Sequence, residues 1–249
     1  MDLNADLGEG FGVWRLGDDE GLLDVVTSAN VACGFHAGDP VTMRRICAAA
    51  AERAVAVGAQ VGYRDLAGFG RRRIDYRFDE LRDDVLYQLG ALDGFCRVAG
   101  TRVRYVKPHG ALYNTACVDE AQAAAVVAAV VDFDPTLPVL CLPGSVLGQL
   151  ATGAGLRHVD EGFADRGYLP DGRLVPRGTP GALIDDHQAV VAQALSMARS
   201  GTVTATDGTV VGCPVESICV HGDTPGAVAL ARHIRDALES AGQRLAAFT

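Results

Sequence analysis

The stretch Ser28-Ala-Asn-Val-Ala-Cys-Gly-Phe-His-Ala-Gly-Asp-Pro40 contains the parts of one strand–loop–helix unit. Its first six residues form a short, largely apolar run that is typical of a buried strand, and a loop with two glycines follows. Asp39 then places a capping carboxylate directly before Pro40, at the first helical position, where the missing N–H of proline costs nothing. The stretch therefore predicts a strand, a polar loop and the start of a helix.

The same order of elements recurs along the whole chain. Short apolar runs predict strands at residues 2–5, 28–33, 59–62, 103–106, 139–142, 158–163 and 217–220. Amphipathic stretches predict helices at 18–26, 41–57, 78–98, 119–131, 146–151, 186–199 and 225–241. Thr224-Pro225 repeats the cap-and-proline start at the last helix, and Asp171-Gly172 and Asp207-Gly208 predict two hairpins.

Alternating strands and helices predict a parallel sheet covered by helices. No linker rich in proline, serine or charge divides the 249 residues, so residues 1–249 are expected to form a single domain. That length is usual for one α/β barrel, and seven βα units favour a seven-stranded, TIM-like β/α barrel. A doubly wound open sheet is the alternative.

Composition and charge exclude several classes of protein. The chain has 22 basic and 31 acidic side chains, a net charge of −9, which argues against nucleic-acid binding because no basic surface is available for phosphates. The longest apolar stretch has about nine residues, against roughly 20 for a bilayer span, and the N-terminus carries acids where a signal peptide is basic. Seven cysteines without a C-x-x-C pair predict reduced, mostly buried thiols and no structural zinc. We therefore expect a cytoplasmic protein without a membrane segment.

Polar side chains cluster after the predicted strands. The carboxyl ends of parallel strands form the ligand site in such folds, so we expect these residues to meet at one rim. The candidates are Asn4, Asp6, Glu9, Asn30, His36, Tyr63, Lys107, His109, Asn114, Arg166, His221 and Asp223, with Arg72 from a run of three arginines. Asp39, Asp65 and Asp165 lie at the same strand ends, where a lone aspartate more often caps a helix. Lys107 is the only lysine among 22 basic residues, which indicates that its position needs a compact ammonium that arginine does not mimic.

Familiar motifs of other enzymes are missing from the sequence. It contains no P-loop, no complete dinucleotide-binding glycine pattern, no G-x-S-x-G elbow and no H-E-x-x-H. A metal bound by Asp6, His36 and His109 remains open from the residue types alone.

Several segments resemble the LamB/YcsF family, in order from residue 2 to about residue 230. They are Asp2-Leu-Asn-Ala-Asp-Leu-Gly-Glu-Gly-Phe-Gly12, the stretch 28–40 quoted above, Gly68-Phe-Gly-Arg-Arg72, Tyr105-Val-Lys-Pro-His-Gly-Ala-Leu-Tyr-Asn114, Phe163-Ala-Asp-Arg166, Leu174-Val-Pro-Arg177 and Ile218-Cys-Val-His-Gly-Asp-Thr-Pro225. The resemblance implies a seven-stranded barrel of the glycoside hydrolase and polysaccharide deacetylase type. It also implies an enzyme that opens the lactam of 5-oxo-L-proline to L-glutamate, with ATP and Mg²⁺, and partner subunits B and C.

The chain departs from the family pattern at one position. Family members commonly read Gly-Ala-His-Pro after the third strand, where this chain has Gly58-Ala59-Gln60-Val61. A glutamine does not replace a histidine as a metal ligand or base, so the departure argues against a tightly bound transition metal.

Roles for the rim residues follow as hypotheses from the implied reaction. The predicted catalytic residues are Asp6, His36, Lys107 and His109: Lys107 would neutralise developing phosphate or oxyanion charge, and His109 or His36 would transfer the proton. Asp6 and Glu9 would hold Mg²⁺ or orient the imidazoles, and Arg72 or Arg166 would bind the substrate carboxylate. The remaining rim residues would bind substrate or phosphate. A stand-alone metal-dependent hydrolase related to polysaccharide deacetylases is one alternative, and a non-catalytic member of the complex is another.

Overall fold

Seven parallel strands close into a barrel in the computed structural model, which describes residues 1–223 and 226–249. The strands run in chain order around the barrel and are β1 (Asp2–Leu7), β2 (Ser28–Ala32), β3 (Ala56–Val61), β4 (Val103–Pro108), β5 (Val139–Cys141), β6 (His158–Phe163) and β9 (Ser217–Val220). β9 pairs with both β6 and β1, which closes the sheet. The predicted seven-stranded barrel is confirmed, and the open-sheet alternative is wrong.

Helices connect the strands on the outside of the barrel. In the described residues they are α1 (Asp19–Leu23), α2 (Pro40–Glu52), α3 (Phe78–Val98), α4 (Gly110–Ala116), α5 (Glu120–Phe133), α6 (Val146–Gly153), α7 (His187–Ser200) and α8 (Ala227–Ser240). The carboxylate of Asp39 accepts from the N–H groups of Val41 and Thr42, so the predicted cap of α2 is confirmed. The cap predicted at Thr224-Pro225 lies outside the described residues.

The helices depart from the prediction most clearly at α2 and α4. α2 ends at Glu52 instead of continuing to residue 57, because Ala54 has a left-handed φ of 54° and β3 begins at Ala56. α4 was not predicted, since its seven residues directly after β4 are too few for a helical period to be visible.

Both predicted hairpins are present. Tyr168 pairs with Leu174 around Asp171-Gly172. The second hairpin is formed by β7 (Thr202–Thr204) and β8 (Val210–Gly212), in which Val203 lies opposite Val211. Neither belongs to the barrel, so both are excursions between β6 and β9.

Side chains of β1 alternate between the helices and the barrel interior. Leu3, Ala5 and Leu7 belong to the apolar core between sheet and helices. Asp2 and Asn4 instead bond to Ser217, a residue of the strand that closes the barrel. Because successive side chains of a strand point to opposite faces, this alternation produces an apolar layer outside and a polar interior.

The two ends of the barrel differ. At the amino end, Tyr105, Leu140 and Val159 form a small apolar cluster that Phe248 covers. The carboxyl end is open and polar, with Asp6, Lys107 and His109 around a cavity. Burial of all seven cysteines as free thiols agrees with the prediction of reduced sulfurs. No helix in the described part of the chain combines the length and apolarity needed to cross a bilayer.

Candidate active site

A cavity of about 470 Å³ lies at the carboxyl ends of the barrel strands. The strand ends and the loops that follow β1, β4, β6 and β9 contribute most of its wall. The predicted rim residues that line it are Asp6, Lys107, His109, Asn114, Arg166 and His221. The strand-end rule thus brings together six candidates from four separate parts of the chain.

Lys107 is held at the floor of this cavity by acids from two other strands. Its Nζ donates to Glu161 Oε1 at 2.7 Å and lies 3.4 Å from Asp6 Oδ1. Cys219 Sγ is 3.1 Å away. Burial by itself lowers the pKa of Lys107, but the Asp6 and Glu161 carboxylates raise it well above its ordinary value. The side chain is therefore a permanently charged ammonium that is buried yet faces the cavity.

The carboxylates around Lys107 are themselves fixed by amides. Asn4 donates to Glu161 Oε1 at 2.9 Å, and Asn30 donates to Asp6 Oδ1 at 2.9 Å. Burial would raise the pKa of Asp6, but the Lys107 ammonium, with lesser contributions from two imidazoles, holds it well below its usual range. Asn4 and Asn30, which were predicted to bind substrate, thus lie inside the barrel and support the ion pair.

His221 and Asp165 form a second hydrogen-bonded unit on the cavity wall. His221 Nδ1 lies 2.9 Å from both carboxylate oxygens of Asp165. Burial opposes ionisation of Asp165, but His221 lowers its pKa, so the carboxylate is ionised and Nδ1 is the donor. With the proton on Nδ1, the lone pair of the imidazole is on Nε2, which has no hydrogen bond in the described structure. An imidazole oriented in this way by a carboxylate is suited to accept a proton from water.

His36 and His109 belong to a third, more deeply buried group. Their rings stack with centroids 3.9 Å apart. His109 Nε2 lies 2.9 Å from the Phe69 carbonyl oxygen, so it donates, and Nδ1 faces Glu9 Oε1 at 3.5 Å. Gln60 bridges the group: its Nε2 donates to Glu9 at 3.2 Å and its Oε1 lies 3.1 Å from His36 Nε2.

Burial determines the protonation of this group. It lowers the pKa of His109 to about 4 and lowers that of His36 well below its ordinary value. Burial, followed by the charge of Asp6, raises the pKa of Glu9 well above its ordinary value. The imidazoles are therefore neutral at pH 7, and the neutral form of the carboxyl is favoured.

The same group could hold a metal ion. One donor atom from each of Glu9, His36 and His109 lies within 4.8 Å of the others. The predicted ligand Asp6 is outside this set, because it is paired with Lys107. Gln60, the residue that departs from the family pattern, is hydrogen-bonded to two of these three side chains, Glu9 and His36.

Other predicted binding residues lie elsewhere. The Tyr63 hydroxyl donates to Gln122, away from the cavity. Arg72 pairs with Asp65 and its side chain is 66% exposed. Asp223 pairs with Arg71 at 2.6 Å. Of the two arginines predicted to bind a carboxylate, only Arg166 lines the cavity, and it donates to the carbonyl oxygens of Val175 and Ala182.

One polar residue of the site, Glu161, was missed by sequence reasoning, and a second, Asp165, was placed at the rim without a role. Glu161 lies within β6, whose sequence His-Val-Asp-Glu-Gly-Phe is half polar, so an acid there gives no clear signal of a buried pair. Asp165 follows the same strand, and its position alone marks it only as a strand-end acid. A role could be assigned to each acid only once its partner was known. The partners, Lys107 and His221, are 54 and 56 residues away along the chain.

The low pKa of His109 predicts how stability depends on pH. The folded chain holds His109 at a pKa of about 4, against an ordinary value of 6.5, so the unfolded chain binds more protons between these values. The stabilising contribution is complete above pH 6.5 and is lost as the pH falls toward 4. The thermal unfolding midpoint should therefore fall as the pH is lowered from 7.5 to 4.5. In His109→Gln the midpoint should change less with pH than in the unsubstituted chain.

His187→Gln is the matched control for this measurement. Its side chain is exposed at the start of α7, so its curve should coincide with that of the unsubstituted chain. A His109→Gln curve with the original slope would contradict the assignment.

A closed parallel barrel with a buried ammonium and an aspartate-oriented imidazole at its open carboxyl end defines a β/α-barrel enzyme. A profile of the LamB/YcsF family matches residues 1–249, and the chain belongs to that family. The resemblance seen in the sequence is thereby confirmed.

The chain is similar over its full length to curated relatives. It is 61% identical over 248 residues to the A subunit of 5-oxoprolinase from Streptomyces avermitilis, covering 100% of this chain and 99% of the relative. It is 60% identical over 248 residues to the protein of the same name from Mycobacterium avium, covering 100% and 98%.

Solved structures agree with this assignment. The lactam utilization protein of Thermus thermophilus has a TM-score of 0.94 at 45% identity, with 99% of each chain covered. The catalytic domain of a peptidoglycan N-acetylglucosamine deacetylase from Eubacterium rectale has a TM-score of 0.50 at 13% identity, covering 99% of this chain and 88% of that one. The second likeness concerns the fold alone and is in line with the predicted deacetylase-type barrel.

Proposed function

We propose that this chain acts as the A subunit of a 5-oxoprolinase, in which it opens 5-oxo-L-proline to L-glutamate with consumption of ATP. The observation that carries the proposal is about 60% identity, over the full length of the chain, to relatives of that name. Residues 1–249 act as one domain in the proposal, in the cytoplasm, together with partner subunits B and C. ATP enters as its Mg²⁺ complex.

The need for ATP follows from the chemistry of the substrate. A five-membered lactam is a resonance-stabilised amide that water attacks very slowly at neutral pH. Transfer of the terminal phosphoryl group to the lactam oxygen yields ADP and an activated imidate. Water then adds at the former carbonyl carbon, the C–N bond breaks, and a second water releases inorganic phosphate and glutamate.

Lys107 supports this reaction as the electrostatic group. Its ammonium is fixed by Asp6 and Glu161 before substrate binds, so stabilising an oxygen that gains negative charge needs no reorganisation. Asp6 is engaged in this pair, which makes it a positioning residue for Lys107.

The geometry favours His221 as the base that takes a proton from water. Asp165 fixes its tautomer and leaves Nε2 free on the cavity wall. His36 and His109 were predicted for this role, but His109 Nε2 is bonded to a carbonyl and His36 is fully buried behind it. In the proposal, the neutral rings of His36 and His109 form part of the wall of the site and do not act as the base.

The buried Glu9, His36 and His109 group favours one second candidate, a metal-dependent hydrolase that works without ATP. In that case these residues would bind the ion, and the ion would activate water. We rank this candidate lower because Gln60 already bonds to two of the donors.

Turnover of 5-oxo-L-proline, followed as glutamate release, distinguishes the two candidates. The chain is assayed alone and with both partner subunits, with and without ATP, and its metal content is measured before and after chelation. We expect glutamate only when partners and ATP are present, in equal amounts before and after chelation and re-addition of Mg²⁺. Glutamate release without ATP that disappears on chelation would instead support the metal-dependent hydrolase. Absence of turnover in the complete mixture would contradict both.

A further inference from the structure

The cavity is lined by more cations than acids. Its lining contains one carboxylate, Asp6, and six basic side chains, which are Arg71, Arg73, Lys107, Arg166, Arg173 and Arg177. Such an excess favours an anionic ligand. The cation that binds it must have donors that no other group of the protein already uses.

Five of the six basic side chains are already engaged. Lys107 contacts Asp6 and Glu161, and Arg166 donates to two backbone carbonyls. The other three are paired with acids: Arg71 with Asp223, Arg73 with Asp75 and Asp119, and Arg173 with Asp171. Arg177 remains, since its guanidinium has neither a hydrogen bond nor an ion pair within residues 1–223 and 226–249.

Arg177 is held over the cavity without using its guanidinium. Leu174 and Val175, just before it, are buried, and the Val175 carbonyl accepts from Arg166 Nη2 at 2.6 Å. The side chain of Arg177 is half-buried, and burial together with the charge of Arg71 lowers its pKa. An anion between the two guanidinium groups would relieve that repulsion.

The acids close to Arg177 do not compete for it strongly. The carboxylates whose charge reaches it most are those of Asp223, Asp165 and Asp6. Asp223 is paired with Arg71, Asp165 with His221 and Asp6 with Lys107. The unpaired guanidinium therefore provides five N–H donors for a group that arrives from solution.

We propose that Arg177 is the anchor for the substrate carboxylate, which makes it the residue that selects 5-oxo-L-proline over neutral lactams. The inference rests on the proposed function and deepens it. A carboxylate matches the planar fork of a guanidinium in bidentate fashion. With the carboxylate on Arg177 and the lactam oxygen toward Lys107, both ends of the small ring are held by positive charge. Arg166 then has a positioning role, because it fixes the loop that carries Arg177.

The test compares Arg177→Gln, Arg177→Lys and the control Arg97→Gln in the complex with both partner subunits. For Arg177→Gln we expect the KM for 5-oxo-L-proline to rise about 10- to 100-fold, as loss of a charge-assisted contact predicts, with kcat changed little. The KM of Arg177→Lys should lie between those of Arg177→Gln and the unsubstituted complex, because an ammonium keeps the charge but loses the bidentate geometry. Arg97→Gln should keep the original KM, since that guanidinium is exposed on α3, is paired with Asp93 and does not line the cavity.

Two further measurements distinguish loss of the contact with the substrate carboxylate from a structural effect of the substitution. The KM for ATP and the inhibition constant of 2-pyrrolidone, the same ring without a carboxylate, should be equal in Arg177→Gln and the unsubstituted complex. An unchanged KM for 5-oxo-L-proline, or a parallel loss for 2-pyrrolidone or ATP, would overturn the inference. Failure of the unsubstituted complex to release glutamate would instead overturn the proposed function, so the two failures are distinguishable.

Discussion

Replacing Lys107 with methionine is expected to lower kcat for 5-oxo-L-proline by roughly 10²- to 10³-fold, the usual effect of removing a preorganised electrostatic group. Methionine has a similar length and fills the space of the lysine stem, but it carries no charge toward the lactam oxygen. The measurement is glutamate release by the complex with both partners and saturating ATP.

The same substitution also destabilises the fold, and this effect must be separated from catalysis. Lys107→Met leaves Glu161 and Asp6 buried without their cation, and removal of one partner of a buried pair typically costs about 3–5 kcal/mol. The double variant Lys107→Met, Glu161→Gln removes one of the two unpaired acids, so its unfolding midpoint should recover part of the loss. We expect turnover in the double variant to stay as low as in Lys107→Met. Recovery of turnover together with stability would mean that Lys107 has only a structural role.

His221→Asn is expected to lower kcat by roughly 10²- to 10⁴-fold, the range for loss of a general base. Asparagine keeps a polar group near Asp165 but has no nitrogen lone pair to accept a proton from water. Glutamate release measures the effect, with His187→Gln as the exposed control that should retain full activity. Binding of 5-oxo-L-proline should persist in His221→Asn.

Asp165→Asn provides a second test of the same unit. Its side-chain amide can no longer enforce donation from His221 Nδ1, so the ring loses its preference for the tautomer with a free Nε2. We expect a fall in kcat with little change in KM. Normal turnover in both variants, with intact folding, would contradict this assignment and would favour His109 or His36 as the base.

Much of the fold was predictable because it depends on local patterns. Apolar runs of strand length, the Asp39-Pro40 helix start and the two Asp-Gly turns are read from neighbouring residues, and the structure confirms each of them. The short helix α4 was missed because seven residues hold too little periodicity. The position of the cavity was predictable from topology, since parallel strands carry their carboxyl ends to one edge.

By itself, the sequence determined the βα order, the placement of the single lysine at a strand end and the membership of the LamB/YcsF family. Only the tertiary structure decided which acid serves which base: Glu161 supports Lys107, Asp165 orients His221, and Gln60 bridges Glu9 and His36. It also decided that Arg72 points to solvent while Arg177 faces the cavity. The physical reason is that these pairings join strands and loops far apart along the chain. Barrel closure and loop backbone, rather than sequence spacing, set the direction in which each side chain points.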